Sequence, residues 1–307
     1  MPPPPIPKLI KSSYDICFSP DGKFLASCGK EVRLWSSPDI TKVWRAHPLA
    51  HPMHLGFSPD SSLLGVKSTS GHIRLVSTAT GAVAHDFDNK ADGQGGSFLF
   101  TEDGAHVVDG SWKGSHIVRS LDGKVVFREE FYPDMVKEIL RHPSGRLWFR
   151  HDPRSLDDSD DEPPQRLLGR DWPFKAGVYQ EVALPVKGRF IDGLTFSPDG
   201  KLLAVLGGIE PHTLTLYSFP AMEELRSVNL PEGLFNAKKV SFLPGGNLLV
   251  AVGSGSLMVL SVGTLALQRQ LPLSYGSAIA FSPTHPLAAL GCWTAGEVVP
   301  LDKLTAG

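Results

Sequence analysis

The side chains that could do chemistry are dispersed along this 307-residue chain. Asp15, His54, Glu138, Asp192 and Glu210 could act as general acids or bases, or share a metal ion, if the fold carried them to one cavity. A metal would need three or more of them within ligand reach. An acid–base pair would need carboxylates in environments that separate their pKa values. Each lies on a different stretch of chain, so linear spacing decides neither case. His47, His51 and His54 fall in HPLAHPMH, whose two prolines exclude the helical HExxH arrangement, and the segment reads as a loop. His72, His116 and His212 read as edge or turn hydrogen-bonding groups. Gly253–Ser254–Gly255–Ser256 lacks the lysine and spacing of a phosphate-binding loop and reads as a flexible turn. There is no GxSxG nucleophile elbow. Cys17, Cys28 and Cys292 form no CxxC pair and read as buried free thiols, with Cys17 and Cys292 expected to approach one another. Burial would raise their pKa and keep them inert. No cofactor is expected.

The elements that must position these residues come from a repeat. ICFSPDGKFLAS begins at Ile16, and variants follow at Leu55, Phe98, Ile139, Leu194, Val240 and Ile279. The anchor position holds Phe18, Phe57, Phe100, Arg141, Phe196, Phe242 and Phe281, separated by 39, 43, 41, 55, 46 and 39 residues. In each copy an apolar strand ends at the anchor, a Pro-Asp-Gly-like turn reverses the chain, and a second apolar strand follows. Strands that are apolar throughout are buried on both faces. Third strands are expected at Val32–Trp35, Ile73–Val76, His116–Arg119, Thr213–Tyr217 and Leu257–Leu260. More polar fourth strands are expected at 41–45, 82–87, 125–129, 225–230 and 267–271. Seven such units near 40–45 residues predict an all-β, seven-bladed β-propeller of four antiparallel strands per blade, as one domain over 1–307. The last unit lacks a fourth strand, and the segment Lys8–Ser12 is expected to supply it beside Glu297–Leu301, closing the last blade. The acidic run Asp157–Glu162 marks a loop excursion over about 152–177, read as solvated or as a contact for a basic partner.

The FSPDG turn followed by a strand and VRLW resembles the WD-repeat family. Trp35 matches the family tryptophan at the end of the third strand, whereas Val76, Arg119, Tyr217 and Leu260 replace it in other copies. Serines 36, 77, 120, 218 and 261 stand where the family has aspartate, and Ala46-His47 stands for Gly-His. The repeats are therefore degenerate, and most of the family's buried histidine–aspartate network is missing. The resemblance implies a top face built by first-strand starts and by loops after second strands. Those loops contribute Lys30, Lys67, Trp112, Lys113, His151, Glu210 and Trp293. The expected protein-binding set is Tyr14, His54, Trp112, Lys137, Asp192, Lys238 and Trp293, with aromatic anchors ringed by polar groups.

The resemblance implies a non-catalytic scaffold or adaptor for a protein or peptide, possible subunit of a larger complex. The alternative is a metal-dependent hydrolase or lactonase-like enzyme using the channel mouth. A net charge of −2 argues against general nucleic-acid binding. No apolar run approaches the ~20 residues of a membrane span. MPPPPIPKLIKSS lacks a secretory apolar region, so cytoplasmic residence is expected.

Overall fold

The computed structural model describes residues 8–9, 13–88, 95–153, 164–186, 190–208, 211–232 and 234–305, with backbone alone at 8–9 and 235–238. The fold is an all-β, seven-bladed β-propeller. Blade 1 comprises Asp15–Phe18, Phe24–Cys28, Val32–Ser36 and Lys42–Ala46; blade 2 comprises Pro52–Phe57, Leu63–Ser68, Ile73–Ser77 and Val83–Phe87. Blade 3 comprises Phe98–Phe100, His106–Gly110, Ser115–Ser120 and Val125–Glu130; blade 4 comprises Met135–Arg141, Leu147–Asp152, Arg166–Arg170 and Gln180–Ala183. Blade 5 comprises Ile191–Phe196, Leu202–Gly207, Thr213–Ser218 and Glu224–Asn229. All pairings are antiparallel between chain neighbours.

Blades 6 and 7 depart from this scheme. In blade 6, Leu248–Ser261 is one unbroken run between Phe235–Phe242 and Leu267–Leu273. Its first half pairs with the former and its second half with the latter. The run therefore fills the second and third strand positions, with Gly255 at φ 101° between the halves. The expected flexible turn at Gly253–Ser256 is thus part of the hydrogen-bonded strand run, because Ser254 pairs with Phe235 and Gly255 with Leu273. Blade 7 comprises Gly276–Phe281, Leu287–Cys292 and Gly296–Pro300. Lys8 lies opposite Glu297 and Leu9 opposite Gly296, adding an N-terminal strand to that sheet.

All seven anchors are the last residues of first strands. The turn that follows is local chemistry. The Ser19 hydroxyl donates to Asp21 Oδ1 at 2.7 Å and accepts from the Phe24 amide at 2.9 Å, and Asp21 accepts from the Lys23 amide. Ser58/Asp60, Thr101/Asp103 and Ser197/Asp199 repeat the arrangement. Those hydroxyl bonds hold Asp60, Asp103 and Asp199 below the usual carboxylate range. In blade 4, whose first turn holds no aspartate, His142 Nδ1 accepts from the Ser144 amide instead.

Contacts divide the chain into two compact units, Met1–Ala46 with Lys187–Gly307 and His47–Val186. In the first unit, blade 6 shows why its inner strands are apolar at every position. Leu249, Ala251, Met258 and Leu260 pack with Ala204, Leu206, Leu214 and Leu216 of blade 5. The alternate residues Val250, Val252, Leu257 and Val259 pack with Ile279, Ala288 and Leu290 of blade 7. Ile16, Leu25 and Trp35 of blade 1 pack with Ala278, Ala289 and Val298 of blade 7. In the second unit, Ile73, Leu75 and Phe87 of blade 2 meet Phe98, Phe100 and Val107 of blade 3. Val108 and Val118 of blade 3 meet Val136, Ile139, Leu147 and Phe149 of blade 4. Outer strands such as Glu224–Asn229 are largely exposed, which explains their polarity.

The expected excursion over 152–177 is narrower than the sequence suggested. Arg166–Arg170 inside that span is the third strand of blade 4, and its apolar centre is buried. The acidic run itself lies outside the described residues, at 157–162. The only helix among the described residues is Asp302–Thr305, and none there is long and apolar enough to cross a membrane.

Trp35 is buried, yet its indole Nε1 has no hydrogen-bond partner among the described residues. Trp35→Phe should therefore cost less than about 1 kcal/mol, because no hydrogen bond is lost and an unpaired donor is removed. Trp35→Ala should cost about 3–5 kcal/mol through the cavity it leaves. Urea denaturation of the two variants checks this contrast.

Candidate functional site

Two surface groups emerge from the expected binding residues, one in each compact unit. In the first, Tyr14 and Trp293 meet edge to face, with ring centroids 5.7 Å apart and planes at 87°. Trp293 is 52% exposed and Tyr275 is 56% exposed. The Trp293 amide donates to the Tyr275 carbonyl at 3.0 Å. The chain just before Tyr14 is fixed to the same place. The Ser13 amide donates to the Cys292 carbonyl at 2.6 Å, and the Ser277 hydroxyl donates to the Ser13 carbonyl at 2.6 Å. Exposed aromatic rings are thus held on a hydrogen-bonded backbone, so little ordering entropy remains to be lost on contact.

In the second unit, Trp112 stands on a tight turn. The Gly114 amide donates to the Ser111 carbonyl, the Lys113 amide donates to the Ser111 hydroxyl, and Gly114 sits at φ 86°. The Val136 amide donates to the Ser111 carbonyl and ties this turn to blade 4. Lys137 Nζ lies 5.3 Å from the centre of the Trp112 ring and 3.3 Å from Asp152 Oδ2. Trp112 is 41% exposed. This group offers an aromatic face, a cation and a carboxylate together.

The remaining expected residues take other positions. His54 is half-buried in its strand opposite Lys67. Asp192 pairs with His212, Oδ2 to Nδ1 at 3.5 Å. Lys238 lies in the strand Phe235–Phe242, and its side chain is outside the described residues. Of the candidate acid–base residues, Asp15 accepts from the Ile16 amide, Glu138 lies 3.9 Å from Arg150, and Glu210 is outside the described residues. Among the described residues no group of three or more His, Cys, Asp or Glu side chains is arranged to hold a metal ion. Burial pushes the Cys17 and Cys28 thiols well up, and that of Cys292 up to about 11. These are poor nucleophiles at neutral pH. The neighbouring thiol that acts on Cys17 is Cys28, in the adjacent strand.

Two residues expected on loops are instead buried in strands. Lys67, in Leu63–Ser68, forms an ion pair with Asp109 of blade 3 and donates to the Gly110 carbonyl at 3.2 Å. His151 is fully buried in Leu147–Asp152, and His116, expected at an edge or turn, is equally buried. These histidines belong to a relay between blades 3 and 4. Arg170 Nε donates to His116 Nδ1 at 3.1 Å. His116 Nε2 and His151 Nε2 are 2.7 Å apart, and His151 Nδ1 is 3.0 Å from Asp134 Oδ2. Because His116 Nδ1 accepts, its proton is on Nε2, and His151 must carry its own on Nδ1, facing Asp134. Arg166 Nη2 donates to the same Asp134 oxygen at 2.8 Å. Burial is the main cause that lowers both histidine pKa values, and for His116 its electrostatic interactions with His151 and Arg170 add to it. Both histidines and Arg170 are buried, so the relay joins blades 3 and 4 rather than lining an open site. A charged or imidazole side chain within apolar strands such as SHIVRS and RLLGR is the sequence signal that marks such a network.

The WD domain, G-beta repeat family model matches residues 11–36, which contain the first FSPDG turn and Trp35. No curated protein matches the sequence. The solved structure titled Kuenenia stuttgartiensis hydrazine synthase is similar with a TM-score of 0.77 at 14% identity, covering 95% of this chain and 96% of that one. At that identity the likeness concerns the fold alone.

Proposed function

Since the chain is a WD-repeat β-propeller with degenerate repeats, we propose that it is a non-catalytic adaptor that binds a protein or peptide through rigid aromatic anchors at its blade ends. The observation that carries this reading is the Trp293 surface: a half-exposed indole braced by Tyr14, with Tyr275 exposed beside it. Large aromatic side chains dominate the energetics of protein interfaces when they start exposed and end buried. Trp112 supplies a second exposed indole, flanked by Lys137 and Asp152, in the other compact unit. The binding step needs no bond making; it consists of desolvating these rings against a complementary surface. Assembly into a larger complex follows from this role. Three free thiols support residence in a reducing compartment such as the cytoplasm.

The test is a quantitative co-purification from the native source with the tagged full chain, its Trp293→Ala form and its Trp112→Ala form. A partner recovered at stoichiometric level with the unaltered chain should fall about tenfold or more with at least one variant, while their thermal midpoints stay unchanged. Equal recovery of that partner with all three proteins would contradict the assignment.

A further inference from the structure

The connection between third and fourth strands is four or five residues long in blades 1, 2, 3, 5 and 6, but nine in blade 4, Asp171 to Tyr179. This extra loop builds a cleft. Its volume is ≈ 560 Å³, in the range of ligand-binding clefts, and it is lined by Arg146, Asp171, Trp172, Lys175, Val178 and Tyr179 among others. The cleft lies at the end of blade 4 opposite Lys137 and Asp152, which flank the start of its first strand and the end of its second.

The loop is pinned from beneath. The buried Arg170 guanidinium donates to the Lys175 and Val178 carbonyls at 3.0 and 3.3 Å, and Glu129 accepts from both Arg170 and the Gly177 amide. The same guanidinium lies over the rings of Phe127, Phe131, Phe174 and Tyr179 at 5.2–5.8 Å. Above this floor the wall is mixed. Arg146 is oriented by Asp171, Nε to Oδ1 at 2.9 Å, and by the Gln180 side chain. Lys175 is exposed, Val178 is 61% exposed and Tyr179 is 41% exposed. Two cations, Arg146 and Lys175, reach the cleft surface with one carboxylate, Asp171, while Arg170 in the floor is neutralised by Glu129.

We propose that this cleft is a second binding site, for an extended acidic peptide segment. Its carboxylates meet Lys175 and Arg146, and an apolar side chain between them lies on Val178, Trp172 and Tyr179. Charge complementarity selects the acidic partner, and the preformed loop keeps the ordering cost low. A nucleic-acid strand suits the cleft less well, because Asp171 stands in its wall and Glu102 lies in the adjoining hollow that shares Arg146 and Trp172.

The test is selection of a random twelve-residue peptide library on the full-length chain. Fluorescence anisotropy then measures the enriched peptides on the unaltered protein and on Lys175→Glu, Val178→Asp and Trp293→Ala. Both cleft substitutions are at exposed side chains, so their thermal midpoints should match the parent's. The expected result is enrichment of Asp and Glu beside an aliphatic or aromatic residue. Binding should weaken about tenfold or more in Lys175→Glu and Val178→Asp, and should be unchanged in Trp293→Ala. It should also be lost when the peptide's Asp and Glu become Asn and Gln. No enrichment, enrichment without acidic bias, parental affinity retained by both cleft variants, or tighter binding of an oligothymidine strand would overturn the proposal. Because Trp293→Ala leaves the cleft intact, failure here is separable from failure of the aromatic surface in the other unit.

Discussion

Arg170→Ala should destabilise the protein by about 3–5 kcal/mol, one of the largest effects of any single substitution in blades 3 and 4. The side chain is entirely buried, and its cost of desolvation is offset only by the groups around it. Truncation would leave Glu129 without its cation, two loop carbonyls and His116 Nδ1 without donors, and a void among four aromatic rings. Arg170→Lys should recover part of the loss. It keeps a charge near Glu129 but lacks the planar fork that reaches the loop carbonyls and His116 together. Chemical denaturation at pH 7 measures both, and a loss below about 1 kcal/mol for the alanine variant would show that the fork is dispensable. The same substitution releases the floor of the Asp171–Tyr179 loop, so peptide binding in the cleft should fall with it.

Acid should weaken the fold well above the pH at which carboxylates titrate. His116 and His151 are neutral in the native state, their pKa values lowered chiefly by burial. In the unfolded chain they titrate near 6.5. Below that pH the unfolded state binds protons that the native state refuses, so stability declines as pH falls from about 6.5 toward the depressed native values. Each histidine contributes a loss that grows as the pH falls below about 6.5 and levels off once its depressed native value is reached. Asp134, whose pKa is lowered by its bonds to His151 and Arg166 against an opposing effect of burial, adds a loss only at lower pH, through the ordinary carboxylate range. Urea midpoints should fall between pH 7 and 5, and His116→Gln should make that fall shallower. A flat profile over that interval would mean that at least one imidazole is already charged or solvated in the native state.

The repeat was legible because its turn is local. Ser19, Asp21 and Phe24 lie within six residues, and their hydrogen bonds need nothing from the rest of the chain. Strand positions followed from runs such as Leu202–Gly207, where burial on both faces leaves no room for alternation. Trp112, Lys137, Tyr14 and Trp293 were also within reach, since each occupies a repeat-equivalent strand or loop end. The Arg170–His116–His151–Asp134 relay was not. Its members lie on different strands of two blades, and their meeting is a product of packing rather than of spacing. Lys67 was misplaced for a related reason: a lysine normally reads as surface, and only its contact with Asp109 makes it tolerable in a core. The wide spacing between Arg141 and Phe196 holds, besides the acidic run, the DWPFKAGVY loop that forms the cleft.

The proposed adaptor role requires that the braced aromatics be the surface that a partner covers. Hydrogen–deuterium exchange of the full chain, free and with its co-purified partner, measures this directly. The predicted result is slowed exchange on complex formation in peptides spanning 274–294 and 13–18, in 111–115, or in both regions. Protection confined to outer strands such as Glu224–Asn229, with these segments unchanged, would contradict it.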